Sequence, residues 1–183
     1  AAGALFIGKT NTPEFGLGSN TFNPVYGKTK NPYDLSKTCG GSSGGAAVAL
    51  ATRMLSISDG SDMMGSLRNP AAWNNVYGLR PTWGLVPPEP SGEIFLSQLS
   101  TLGPMARSPK DLAMLLDVQA NRHENRSLIS SPATFSNCTE EPIIKGIKVG
   151  WLGDWDGTLA FEEDLLDLSQ EGLNEMSSMG AII

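Results

Sequence analysis

Histidine is nearly absent from the sequence: His123 stands alone, in the polar stretch Asn121-Arg-His-Glu-Asn. A nucleophilic serine usually passes its proton to a histidine held by a carboxylate, so a Ser-His-Asp mechanism has almost no footing and His123 reads as a solvated loop residue. Cysteine is scarce too. Cys39 and Cys138 are far apart with no metal-type spacing, which argues against a disulfide framework or zinc site and leaves two reduced thiols. Lysine and arginine form no cluster and do not interleave with aromatics, so the electrostatic footprint of nucleic-acid binding is missing. After Lys148 they stop, while eight carboxylates follow, the pattern of a solvated acidic helix face. No run reaches 18 consecutive apolar residues, and the opening AAGALFIGKT lacks a basic leader and a cleavage site. Neither a membrane span nor a secretory signal is expected; the cytoplasm is the default. The Asn-x-Ser/Thr triplets at Asn125 and Asn137 then read as chance matches.

What is present suits a folded domain. With 40% hydrophobic and 17% charged residues over 183 positions, the chain can bury a core, and a single domain is the expectation. It does not begin with Met, and Ala181-Ile182-Ile183 reads as the start of a buried strand, so both ends are expected to be cut points within a longer domain.

Ala4 to Ile7 is a short apolar run that predicts a buried strand. The following residues, rich in Gly, Pro, Asn, Thr and Ser, form a long irregular segment of the kind that carries a site. Ser43 to about Met54 is alanine-rich and predicts a closely packed helix with a serine at its start. Leu55–Ser58 and Val76–Arg80 read as strands, and Ser108-Pro109-Lys110-Asp111 opens a helix that runs to about Ala120. Asn121 to Lys145 reads as a polar loop and Ile147–Leu152 as a strand. Phe161, Leu165, Leu168, Met176 and Met179 fall on one stripe of a long amphipathic helix. The alternation predicts an α/β domain with a largely buried sheet.

Gly3-Ala-Leu-Phe-Ile-Gly8-Lys9-Thr10 matches the letters of a phosphate-binding loop, but its middle residues are strand-like and Asn11-Thr12-Pro13 follows where a helix should start, so nucleotide binding is not the expected function. Cys39-Gly40-Gly41-Ser42-Ser43-Gly44-Gly45 leads directly into the alanine-rich helix, where free amides and the positive dipole end gather. Ser66 follows 24 residues after Ser42, in Gly60-Ser-Asp-Met-Met-Gly-Ser-Leu-Arg-Asn-Pro70, a turn whose amides could converge on an oxyanion. With histidine set aside, lysine is the alternative base, and Lys9, Lys28, Lys30 and Lys37 lie in or beside the irregular segment. Cys39 is a second candidate nucleophile, with a packed thiol as the plainer reading.

These segments, together with Gly8-Lys-Thr-Asn-Thr-Pro-Glu-Phe-Gly16, Val76-Tyr-Gly-Leu-Arg-Pro-Thr82 and Leu99-Ser-Thr-Leu-Gly-Pro-Met-Ala-Arg107, resemble the amidase-signature family in order and spacing, over nearly the whole chain. The resemblance implies an α/β fold with a mixed β-sheet flanked by helices, and residues 1–183 as part of that domain, incomplete at both ends. It implies a Ser, cis-Ser, Lys triad with Ser66 as nucleophile and Ser42 as the bridging cis-serine. The amides of Met63, Met64, Gly65 and Ser66 would form the oxyanion hole, each worth about 3 kcal/mol in the transition state. Ser43 would support Ser42, while Asp62 and Arg68 would fix the loop. The family's lysine lies upstream of Lys9, so it is expected before Ala1, leaving the isolated chain inactive. Met64 stands where the family has glycine and is strained if its φ is positive.

The expected activity is hydrolysis of a small-molecule carboxylic amide through an acyl-enzyme, with no cofactor, metal, nucleic acid or membrane, and with a homo-oligomer of the full-length protein possible. The alternatives are the glutamine-hydrolysing A subunit of an amidotransferase, which would require protein partners, and a non-catalytic scaffold of the same fold.

Overall fold

Side chains take over the backbone's hydrogen bonds through residues 11–43, which is why so little of that stretch is regular. The computed structural model describes residues 3–87, 98–120, 134–139, 143–162 and 164–183. His123 and Asn125 lie outside the described residues. The ladder in this stretch is the hairpin β1 (Phe22–Asn23) and β2 (Gly27–Lys28), closed by Asn23, whose Oδ1 accepts from the amides of Val25 and Tyr26. Asn23 Nδ2 donates to Asn11 Oδ1 and Asn11 Nδ2 to Thr29 Oγ1, at 2.6 and 2.9 Å, so the hairpin pins the chain near Asn11. Thr21 fixes the far end: its amide and hydroxyl both donate to the Gly40 carbonyl, at 3.1 and 2.8 Å.

The alanine-rich helix forms as α1, Gly44–Ala51. Its small residues allow burial on almost every side, and Ala46, Ala47 and Leu50 enter the core with Leu67, Ala71 and Met105. Leu55 and Val76 pack against that cluster. Gly45 is pressed against backbone. A Cβ there would press on the Asn11 backbone, with Asn11 Cα only 3.0 Å away. Gly45→Ala should therefore displace the Asn11 segment and lower the unfolding free energy by about 1–3 kcal/mol, read from the urea midpoint.

β3 (Ile57–Asp62), α2 (Arg68–Trp73), β4 (Tyr77–Gly78), β5 (Thr101–Ala106) and α3 (Pro109–Ala120) follow in chain order. The three strands make an open antiparallel sheet in the order β3, β5, β4, with Asp62 opposite Thr101 and Tyr77 opposite Ala106. Helices flank it, giving the expected mixed α/β architecture. α3 has the predicted limits, and Ser108 caps it: its hydroxyl accepts from the Asp111 amide at 3.1 Å and donates to the Asp111 carboxylate at 2.8 Å. Asp117 on α3 in turn receives the amides of Phe135 and Ser136, at the start of a 3₁₀ turn, Phe135–Thr139.

Several expected elements differ. Residues 4–7 form no strand: Leu5, Phe6 and Ile7 are exposed, and no described strand pairs with them. Residues 3–10 lead into no helix, so the phosphate-loop letters lack their structural context. β3 begins two residues later than read and continues through the polar stretch to Asp62. Only two of the five residues in Val76–Arg80 keep strand pairing.

The chain divides into two compact units, Ala1–Thr139 and Glu140–Ile183. In the second, the expected strand over Ile147–Leu152 reduces to one parallel bridge, Lys148 to Ile182, with Val149 N–H donating to Ile182 O at 2.8 Å. α4 (Leu165–Ser178) is shorter than the predicted stripe. Phe161 precedes it, Leu165, Leu168 and Met179 are exposed, and Leu173 is its buried residue. Among the described residues no helix is long and apolar enough to cross a membrane.

Candidate active site

Two loops meet through backbone and serine hydrogen bonds. The first enters α1 and carries Ser42 and Ser43; the second joins β3 to α2 and carries Met63 to Ser66. The Ser43 amide donates to the Ser66 carbonyl at 3.3 Å. The Ser43 hydroxyl accepts from the Ser61 amide and donates to the Ser61 carbonyl, both at 3.3 Å. Ser43 therefore holds the loops to each other, and its bonds go to Ser61 and Ser66 rather than to Ser42. Gly60 permits this approach, because a Cβ on it would lie 2.6 Å from Ser43 Oγ. The Gly41–Ser42 peptide is cis. Ser42 is buried and Ser66 half-buried, and neither hydroxyl has a hydrogen-bond partner among the described residues.

Asp62, fully buried, organises the second loop. Its Oδ1 accepts the Gly65 amide at 2.7 Å and its Oδ2 the Leu67 amide at 3.2 Å. Arg68 adds a two-pronged contact, Nε to Oδ2 at 3.0 Å and Nη2 to Oδ1 at 3.1 Å. Burial pushes the carboxyl's pKa up, but the Arg68 guanidinium and the two amides outweigh it and hold the group below its usual range.

Because Gly65 N–H is taken by Asp62, the amides of this turn with no acceptor among the described residues are those of Met63, Met64 and Ser66. Of the four amides expected to form an oxyanion hole, that of Gly65 is thus engaged within the fold and three are not. The strain considered for Met64 does not arise. Gly65 is the residue at positive φ, 124°, and a Cβ there would also lie 2.8 Å from Asn69 Nδ2. Met64 is left with ordinary backbone and an exposed side chain.

Cys39 is enclosed, its thiol donating to Thr29 O at 3.2 Å, and burial raises its pKa, so it is a packed thiol rather than a nucleophile. Lys9, Lys28, Lys30 and Lys37 are all exposed, and Lys37 faces Asp34 at 4.0 Å. Sequence reading passed over Arg80, whose Nε lies 3.4 Å from Asp62 Oδ1. The only signal was its place in the Val76–Thr82 motif.

The sequence profile of the family described as Amidase matches residues 1–183. The A subunit of glutamyl-tRNA(Gln) amidotransferase from Deinococcus deserti is 47% identical over 152 residues, covering 81% of this chain and 30% of that protein. Among solved structures, a bacterial aryl acylamidase of the amidase-signature enzymes superposes with a TM-score of 0.83 at 30% identity, over 96% of this chain and 36% of that one. The A subunit of glutamyl-tRNA(Gln) amidotransferase from Thermotoga maritima superposes at 0.79 with 31% identity, over 96% and 38%. The chain spans about a third of the length of the curated relatives it matches, from 30% to 37%. Profile, relatives and superposed structures agree with one another: the chain belongs to the amidase-signature family, whose members hydrolyse amides.

Proposed function

We propose that the whole protein cleaves a small carboxamide through an acyl-enzyme on Ser66, with Ser42 as the proton relay. The observation that carries this reading is the junction of the two loops, with the half-buried Ser66 hydroxyl beside three amides that have no other acceptor among the described residues. In the first step the base removes the Ser42 proton, Ser42 removes that of Ser66, and Ser66 Oγ bonds to the substrate carbonyl carbon. The C–N bond then breaks, the departing nitrogen takes a proton back through Ser42, and water later releases the acid. The amides of Met63, Met64 and Ser66 stabilise the oxyanion in both halves. The base on this reading is a lysine, as the family resemblance implies; Lys9, Lys28, Lys30 and Lys37 are exposed and none has a hydrogen bond to Ser42 among the described residues.

Glutamine is the substrate the relatives favour: the curated ones, amidotransferase subunits, are 37–47% identical, against 28–30% for the aryl acylamidase and peptide amidase among the superposed structures. On that reading the protein works with partner subunits. The aryl acylamidase likeness, with the TM-score of 0.83, favours a self-sufficient amidase as the second reading. Ammonia release from glutamine, together with co-purifying subunits, is the expected result for the purified whole protein. Turnover of simple arylamides by the protein alone would establish the second reading instead. Neither activity, with no fluorophosphonate labelling of folded protein, would return the scaffold reading.

A further inference from the structure

We infer that Arg80 is a positioning residue for the oxyanion turn, acting through Asp62 from outside the loop it controls. The inference rests on the assignment of Ser66 and its neighbouring amides proposed above. Arg80 follows β4, yet its side chain reaches across the start of β5 to the end of β3. Nε donates to the Asp62 backbone carbonyl at 3.3 Å and lies 3.4 Å from Oδ1, while Nη2 donates to the Leu99 carbonyl at 2.7 Å. Asp62 in turn holds the amides of Gly65 and Leu67, and so sets which amides of the turn remain free.

The two arginines on Asp62 differ in what they can fix. Arg68, the first residue of α2, lies just across the turn from the carboxylate it grips and its side chain is 55% exposed, so it closes the turn on itself in contact with solvent. Arg80 is 31% exposed and, of the two, is the one that ties Asp62 to the chain entering β5. Its guanidinium is the bridge between a local turn and the sheet's frame. A lysine, as a single-point donor, can meet Asp62 or Leu99 O but cannot reproduce the fork. Glutamine keeps a donor and loses the charge.

The test uses the whole protein with Arg80→Lys, Arg80→Gln and, as a reference, Ser66→Ala. Each is assayed for kcat, KM, inhibition by an aldehyde or boronate transition-state analogue, and thermal midpoint. The expected order of kcat is Arg, then Lys, then Gln, with a fall of about 10- to 100-fold for Gln, less than the roughly 100- to 1000-fold cost of losing an oxyanion donor outright. Analogue affinity should fall in parallel while KM moves less than about twofold, since these amides act on the transition state. A purely structural arginine would lower the thermal midpoint and leave kcat and analogue affinity of the folded fraction unchanged, which would overturn the inference. If Arg80→Gln does not fold, Arg80→Lys decides: a matched loss of kcat and analogue affinity supports it, and wild-type values for both overturn it. If Ser66→Ala retains activity, the assignment of the nucleophile fails, an outcome distinct from an inert Arg80.

Discussion

Replacing Ser66 by alanine in the whole protein should lower kcat/KM by about 10⁴-fold or more while leaving the thermal midpoint close to that of the wild type. The two halves of this expectation come from different atoms of one residue. The main-chain carbonyl of Ser66 receives the Ser43 amide and so helps to join the loops, and alanine keeps that bond. The hydroxyl has no partner among the described residues, so removing it breaks nothing in the resting fold. What it removes is the nucleophile. Fluorophosphonate labelling followed by peptide mapping checks this directly: wild-type protein should label at Ser66, Ser66→Ala should not label, and Ser42→Ala should label slowly because its relay is gone. Full activity in Ser66→Ala would place the chemistry elsewhere.

Asp62→Ala should have the largest effect on stability, about 3–5 kcal/mol in the unfolding free energy, measured by urea denaturation. The carboxylate is wholly enclosed and pairs with Arg68 and Arg80 while receiving two amides, so its loss leaves several donors unmatched together. The same contacts give the fold an acid sensitivity whose sign follows from the depressed pKa of Asp62. In the unfolded chain an aspartate titrates near about 3.9, and a folded value below that makes the ionised form stabilising. Its contribution is complete above pH of about 4 and is lost as the pH falls through the folded value. Asp62→Asn should flatten this part of the urea-midpoint profile against pH. An unchanged slope below pH of about 4 would mean that other carboxylates govern the acid limb.

The parts of the fold that were legible in the sequence are those in which local chemistry and tertiary demand agree. α3 has a serine cap, a proline at its first position and leucines at helical spacing, and it forms over Pro109–Ala120 as expected. α1 was legible because its alanines serve both helix propensity and close packing. Residues 4–7 misled for the opposite reason: an apolar run specifies a strand only when another strand pairs with it. β5 was hidden by its own composition, since Thr-Leu-Gly-Pro-Met-Ala carries a glycine and a proline in what proves to be the central strand. Gly103 is there because Leu67 and Pro81 crowd it, with a Cβ 2.8 Å from each, a demand that no local pattern reveals. At the site, motif spacing pointed to the serine pair, whereas the occupation of Gly65 N–H by Asp62 and the reach of Arg80 depend on side-chain directions that spacing does not encode.

Pro104 in the middle of β5 has an effect beyond its own strand. Its carbonyl accepts the Leu79 amide at 3.1 Å, and in an antiparallel ladder a residue's N–H and C=O point to the same neighbour, so the donor that proline lacks is one that would have faced β4. The exchange between Leu79 and Pro104 is therefore one-sided, and pairing along this edge stops there. Had the ladder continued, the next residue of β4 would have been committed to the alternation of a strand, its side chain projecting to one face of the sheet. Released one step after an incomplete pair, Arg80 can instead lean over the strand end toward Asp62. The guanidinium that grips Asp62 is thus carried one residue beyond a half-made pair on the central strand.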